Sequence, residues 1–437
     1  MKYLLLFTFL AFGVYANSDI KLIDNVGEAI ELAISNHPKL RILKAKSDIA
    51  KLNIKDGYSM YLPTLNLIGQ YGKSSLSDDK TDKTNRTTFS GYGLIANYLI
   101  TDFGAREGKI DILKTQFLAQ EYEKNAELQN LIFDITYKWY MVSLQKEDLG
   151  IKSKTYDLVQ NEFSWVTEKY TRGLVKKLDY LKSKADLKLA KFNLIEADNK
   201  YQNNLYTLKT ELGISDETHI INFQKDIVLS EKYKKDFSNI SEVFKIAQEN
   251  SLTLKIQETK LEETKLTKRV STLLYMPKLS AFAFHANINS SSNLIALGGL
   301  NTIDLGGDRN ITGGGLRLDF NLFNGFRDSN TIQKAIEAKS IQEDMLVLTE
   351  RQLRNAIFET YHNIKLAKEK IELADEIRTT TREYYNLMSQ YYNQGIISFI
   401  DLANSRLDLE KSEDRLLQAK YFYNLQKLKL LNLISAL

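Results

Sequence analysis

Apolar positions recur every seven residues along most of this chain. Tyr180, Leu187, Leu194, Tyr201 and Leu208 form one ladder. Leu402, Leu409, Leu416, Tyr423 and Leu430 form the same ladder 222 positions later. A glycine stands seven residues before the first rung of each, Gly173 and Gly395, and an aspartate stands immediately before it, Asp179 and Asp401. Agreement of order, spacing and residue type on this scale predicts one supersecondary unit built twice. The match continues outside the ladders. Ala33, Asn36, Leu40 and Leu52 correspond to Ala247, Asn250, Leu254 and Leu266, and residues 61–65 correspond to 275–279, all at a shift of 214. Leu128, Asn130, Ile132 and Phe133 correspond to Leu353, Asn355, Ile357 and Phe358 at a shift of 225. The first copy covers residues 17–212 and the second 241–437, with a mixed, charged connector at 213–240.

Each copy holds one very long helix, expected at 105–172 and 326–394, with no proline in either stretch. About 70 residues at 1.5 Å each make a rod of roughly 100 Å. Leu128, Ile135, Val142, Leu149, Tyr156, Phe163 and Tyr170 recur by sevens in the first. Ile357, Ile364, Ile371, Tyr385 and Tyr392 do so in the second, broken at Arg378, with Ala367, Ala374, Thr381 and Met388 between them. A sustained period of 3.5 commits a helix to a partner along its length, and the small residues let that partner come close. Shorter return helices follow the glycines, at 178–212 and 400–434, and single helices of similar length precede the prolines, at 26–57 and 241–274.

Where the helical spacing stops, period two takes over. Four strands of about ten residues are expected, at 64–72, 88–99, 278–289 and 310–323. In the last, Leu316, Leu318, Phe320 and Leu322 alternate with Arg317, Asp319 and Asn321. Phe282, Phe284, Ala286 and Ile288 share one face of the third, and Tyr92, Leu94, Ala96 and Tyr98 one face of the second. Ten residues cross a bilayer when tilted, and polar loops at 73–86 and 290–309 link the pairs. Four strands do not close a barrel, and an open edge in lipid leaves backbone groups unpaired at several kcal/mol each. A membrane reading therefore requires several chains to pool their strands, two or three on this argument alone. The competing reading is a pair of ordinary hairpins capping a soluble helical body.

Composition narrows the choice. Residues 1–16 carry one lysine, an apolar run from Leu4 to Val14 and a small residue at Ala16, the pattern of a secretory signal peptide. The chain has no cysteine, hence no disulfide and no N-terminal lipid-bearing thiol. The formal charge of +4, less the one charge of Lys2, leaves +3 on the exported chain, with both signs interspersed, so nothing points to nucleic acid. The four histidines, at 37, 219, 285 and 362, form no metal-ligand spacing, and Gly313-Gly314-Gly315 lacks the lysine and helix of a phosphate loop. No cofactor and no enzymatic chemistry are expected.

The signal peptide, the duplicated order of helix, two strands, long helix and return helix, and the heptads resemble the TolC-like outer membrane efflux protein family across nearly all of the chain. The most specific residues are at the turns. Tyr170-Thr-Arg-Gly173-Leu174-Val175 leads to Asp179, and Tyr392-Asn-Gln-Gly395-Ile396-Ile397-Ser398 leads to Asp401. Ala33 to Pro38 and Thr101 to Arg106 are also similar to family patterns. The resemblance implies a mainly α protein with a β-barrel part: a homotrimer pooling four strands per chain into a 12-stranded outer-membrane barrel above a periplasmic α-helical tunnel, with the connector at its equator. It implies a passive exit duct of a tripartite efflux or type I secretion system. Its partners would be a periplasmic adaptor protein, an inner-membrane pump reached through that adaptor, and outer-membrane lipid. Gly173, Leu174, Val175, Gly395, Ile396 and Ser398 would be adaptor-docking tips, and Asp179, Asp401, Tyr170 and Tyr392 would line the periplasmic gate. Two features depart from the family pattern: Lys176-Lys177 follows the first tip where Ser398-Phe399 follows the second, and Asn404 stands where some relatives have a second acid. The rival from another class is a secreted structural coiled-coil protein without a pore.

Overall fold

The structure, a computed structural model, describes residues 21–78, 83–214, 219–221, 239–291 and 307–436. The expected signal peptide, most of the 213–240 connector, and residues 79–82 and 292–306 of the two expected loops lie outside the described residues. In chain order the elements are β1 (Lys21–Ile23), α1 (Val26–Asn36), α2 (Pro38–Ser59), β2 (Thr64–Asp78), β3 (Lys83–Thr101), α3 (Ala105–Thr171), α4 (Lys177–Leu212), β4 (His219–Ile221), α5 (Ile240–Asn250), α6 (Leu252–Thr272), β5 (Lys278–Ser290), β6 (Gly307–Asp319), α7 (Arg327–Asn393) and α8 (Phe399–Leu433). They form two compact units, each drawing on both repeats: Met1–Arg41, Asn125–Ser251 and Gln352–Leu437 in one, Ile42–Lys124 and Leu252–Arg351 in the other.

The helices before the prolines are not single. The first breaks at His37 and the second at the matched Ser251. Pro38 has no N–H and pushes the residue before it out of the helical region, to φ −69°, ψ 120°. Ser251 adopts nearly the same conformation without a proline. In both copies the cap N–H donates to a buried alanine carbonyl, Ala33 or Ala247, at 2.8 Å. Ala33 and Ala247 pack with Ile135, Val142, Leu208 and Leu428 in the larger apolar core of the first unit.

The two ladders fare differently. In α8, Leu402, Leu416 and Leu430 are buried. In α4 only Leu208 among the ladder residues is buried; the other buried positions are Leu212 and the small or polar Ser183, Asp186, Ala190 and Ala197. Small side chains at these contacts permit close approach of a packed helix.

In the second unit β2, β3, β5 and β6 form one antiparallel sheet in that order, the central contact joining a strand of each repeat. The hairpin of β2 and β3 is longer than alternation suggests. Residues 73–78 pair with 83–88, all but the last two of them within the stretch 73–86 expected as a loop. A ladder needs only N–H and C=O groups, so serine and threonine continue it where no apolar face is required. β6 is shorter than expected and stops at Asp319, because its partner β5 begins at Lys278 and offers nothing for residues 320–323 to pair with.

Register also corrects the faces. Leu316 stands opposite Ala281, and Phe282 stands opposite Gly315, so the apolar sides expected for β5 and β6 lie on opposite faces of the sheet. One face carries Leu65, Leu67, Tyr92, Leu94, Tyr98, Leu316 and Leu318, with His285 opposite Leu94 and with Asp308 and Lys73 toward the far strand ends; the other carries Lys278, Arg317 and Asp319. At the strand–helix corner, Asp102 caps α3 by accepting from the Arg106 backbone N–H at 2.9 Å. The buried Arg106 guanidinium donates to the Met60, Leu99 and Ile100 carbonyls at 3.2, 2.8 and 3.0 Å, tying the end of α2 to the end of β3.

Candidate functional site at the helical turns

Both long helices end on a left-handed glycine, Gly173 at φ 74° and Gly395 at φ 75°, a conformation that any Cβ would strain. Leu174 N–H donates to Lys169 O at 2.9 Å and Ile396 N–H to Tyr391 O at 3.0 Å, so the same closing motif satisfies the last carbonyls of each helix. The aliphatic residue after each glycine points outward: Leu174 is 70% exposed and Ile396 63%. Val175 and Ile397 turn inward instead, against a small core of Val166, Tyr392, Phe399, Leu402 and Ala403.

The return helices start differently. Ser398 and Asp401 form a reciprocal capping box, the Asp401 N–H donating to Ser398 Oγ at 3.3 Å and the Ser398 N–H to Asp401 Oδ2 at 3.1 Å. At the first tip the cap is Lys176, which offers no side-chain bond, so Asp179 is not committed to capping. Lys176→Ser would install the missing box with Asp179 and is expected to stabilise the first tip by about 1 kcal/mol, while Ser398→Ala should cost the second about as much. Amide exchange over the first turns of α4 and α8 checks both signs.

The aromatic residues sort in the same way. Tyr170 stacks on Tyr180 across the first hairpin, with centroids 4.8 Å apart. Tyr392 is buried edge-on against Phe399 at 5.9 Å, beneath the Lys169 ammonium, and among the described residues its hydroxyl has no hydrogen-bond partner. Burial chiefly, with the negative charge of Asp179 next, pushes that phenol above its ordinary range. The structure thus brings Tyr392 and Asp179 into one electrostatic environment.

Behind the tip core lies a charge cluster that sequence reasoning missed. Arg406 of α8 pairs with Glu162 of α3 and with Asp186 of α4 at 3.1 Å, and these three side chains are no more than 8% exposed. Tyr385 of α7 donates to Glu162 at 3.0 Å, and Lys182 reaches Asp186 at 2.6 Å. One buried guanidinium therefore links all four helices. Burial raises the Glu162 pKa above its ordinary 4.5, with Arg406 and Tyr385 opposing that shift. The signal was available: Glu162 falls between Val159 and Val166 on the apolar seam, and Arg406 lies one turn after Leu402. Among the described residues no group of His, Asp and Glu side chains converges as a metal site, and no helix is long and apolar enough to cross a membrane.

Each repeat thus supplies a long helix ending in a glycine turn, a return helix and two strands of one four-stranded antiparallel sheet. The family model described as "Outer membrane efflux protein" matches residues 29–214 and 243–436, and the chain belongs to that family. It is accordingly a protein of the Gram-negative outer membrane that extends into the periplasm. Solved structures share the fold at low identity. A membrane protein from Pseudomonas aeruginosa superposes with a TM-score of 0.79 at 14% identity, covering 95% of this chain and 91% of that one. The outer membrane protein VceC of Vibrio cholerae gives 0.74 at 15%, covering 94% and 95%. The Campylobacter jejuni CmeC outer membrane channel gives 0.76 at 16%, covering 94% and 85%. A comparison with curated proteins finds no match. The family and these neighbours are membrane proteins and channels, not enzymes.

Proposed function

We propose that the chain is the passive exit duct of a tripartite efflux or type I secretion machine, assembled from three copies. The observation that carries this reading is the sheet. One face has no Asp, Glu, Lys or Arg across its apolar band, where the titratable side chain is His285, hydrogen-bonded to Thr312 at 2.7 Å, and both edges, β2 and β6, have no partner strand among the described residues. A charge at the bilayer midplane costs about 2–4 kcal/mol, which assigns the face with the apolar band to lipid and the Lys278, Arg317 and Asp319 face to the lumen. Edge groups in lipid require pairing, which a neighbouring copy supplies.

The helices give independent support. Leu366 and Leu373, then Ile377, Tyr384 and Tyr391 four residues on, make an exposed apolar stripe on α7 at two heptad positions, and beside it a groove of about 620 Å³ is lined by Ala367, Ala374, Ala419 and Phe422. A second copy's coil fits such a seam of small and aliphatic residues. Leu174 and Ile396 would then dock on a periplasmic adaptor coupled to an inner-membrane pump. Asp179, Asp401, Tyr170 and Tyr392 would surround the periplasmic gate, with Asp179 the acid left free to meet cations. A pore-free coiled-coil protein gives no reason for a sheet with an apolar band along one face. Detergent-purified protein is expected to have three times the chain mass by light scattering; a monomer's mass would sink the trimeric duct.

A further inference from the structure

The face assigned to the lumen is not uniformly polar. Six glycines lie on it, Gly72, Gly91, Gly93, Gly307, Gly313 and Gly315, and three are seats for aromatic rings directly across the ladder. A Cβ added at Gly72 would meet Phe89 at 2.3 Å, one at Gly313 would meet Phe284 at 2.7 Å, and one at Gly315 would meet Phe282 at 3.4 Å. Each ring lies over its neighbour's backbone instead of standing into the space above the sheet. Cross-strand glycine–aromatic pairs help to fix register, and that structural role is the plain alternative.

Two of these rings share a further neighbourhood. Phe282 and Phe284 are adjacent on one face of β5, Ile95 stands opposite Phe284, and the amides Asn97 and Asn66 stand opposite Phe282 and Ile95. The result is an apolar plate edged by two amides, with no charged side chain in those two rows. Water-filled barrel interiors are ordinarily polar, so an apolar aromatic plate on that face calls for a ligand. We propose that this plate binds planar, uncharged aromatic molecules in transit, by stacking on Phe282 and Phe284 with Asn66 and Asn97 as hydrogen-bond partners. Flat-seated rings offer their faces, the amides both donate and accept, and the missing charge disfavours ions. The inference rests on the reading that this face lines the lumen.

The test uses the full-length protein reconstituted in lipid nanodiscs. Phe284→Trp places a reporter in the plate, and the native Trp139 and Trp165 signal is subtracted with the parent protein. Neutral 7-hydroxycoumarin is titrated as energy acceptor. Saturable transfer is expected, with its midpoint raised about tenfold, the ~1.4 kcal/mol of one stacked aromatic pair, by Ile95→Ser with Phe282→Ser. Gly313→Ala, which displaces the ring at 284 but keeps it aromatic, should weaken binding too, whereas Gly315→Ala should not. Transfer that rises linearly with dye, or a midpoint indifferent to these changes, overturns the plate and leaves register as its role. Because the chain has no cysteine, Asn97→Cys and Leu94→Cys test the facing separately with a membrane-impermeant maleimide. Labelling of Leu94→Cys but not Asn97→Cys overturns the lumen assignment itself, and with it the proposal.

Discussion

Replacing Arg406 with alanine loosens the ends of all four long and return helices. Among the described residues the guanidinium is the only cation reaching both Glu162 and Asp186, and the three groups are almost wholly buried. Removing one partner of such a cluster costs about 3–5 kcal/mol, because the remaining carboxylates stay desolvated without compensation. Amide exchange should rise around residues 160–190 and 385–406, and conductance in planar bilayers should rise if these ends form the gate. The pH dependence has a definite sign. The Glu162 pKa is already raised above 4.5 by burial, so this residue favours the packed state below that value, and its contribution is lost as pH rises through the shifted one. Without Arg406 the opposing attraction disappears and the shift grows. The Arg406→Ala protein should therefore regain order on acidification, and Glu162→Gln in the same chain should mimic that rescue at neutral pH. A variant as protected as the parent at every pH would remove the cluster from any account of the tips.

The helices, their turns and the doubling were legible because they rest on local rules. A seven-residue period, a glycine that ends a helix and an aspartate at its start all act within a few residues of themselves. The four strands were found but misjudged at their ends, since a ladder persists as long as its partner does. Phe320 and Leu322 continue the alternation of β6, yet β5 has no residue left to pair with them. The relation of β5 to β6 was beyond the reach of single-strand patterns. Which face Phe282 shares with Leu316 depends on register, and a slip of one residue exchanges the faces. Of the candidate site, the exposed pair Leu174 and Ile396 and the glycines were readable, but the inward turn of Val175 depends on a core drawn from both repeats, and the charge cluster on Arg406 contacts 220 and 244 residues apart.

A carboxylate placed on the tips should abolish export while leaving membrane insertion intact. Leu174 and Ile396 are more than half exposed and contact no core, so Leu174→Glu and Ile396→Glu should change folding stability by no more than about 0.5 kcal/mol. An apolar residue at the centre of a docking contact is worth about 2 kcal/mol or more, so loss of either should weaken adaptor binding roughly 30-fold. The two should not be equivalent. The carboxylate introduced by Leu174→Glu would sit between Arg172 and Lys176-Lys177, whose cations partly offset it. The one introduced by Ile396→Glu would join Asp401, with no lysine or arginine in residues 394–405. Ile396→Glu is thus expected to be the more damaging, and raising ionic strength should narrow the difference, since exposed charges are screened within about 8–10 Å. Export measured in cells carrying each variant, beside outer-membrane fractionation, separates docking from insertion. Normal export with glutamate at both tips would refute docking at these residues, whatever the oligomeric state.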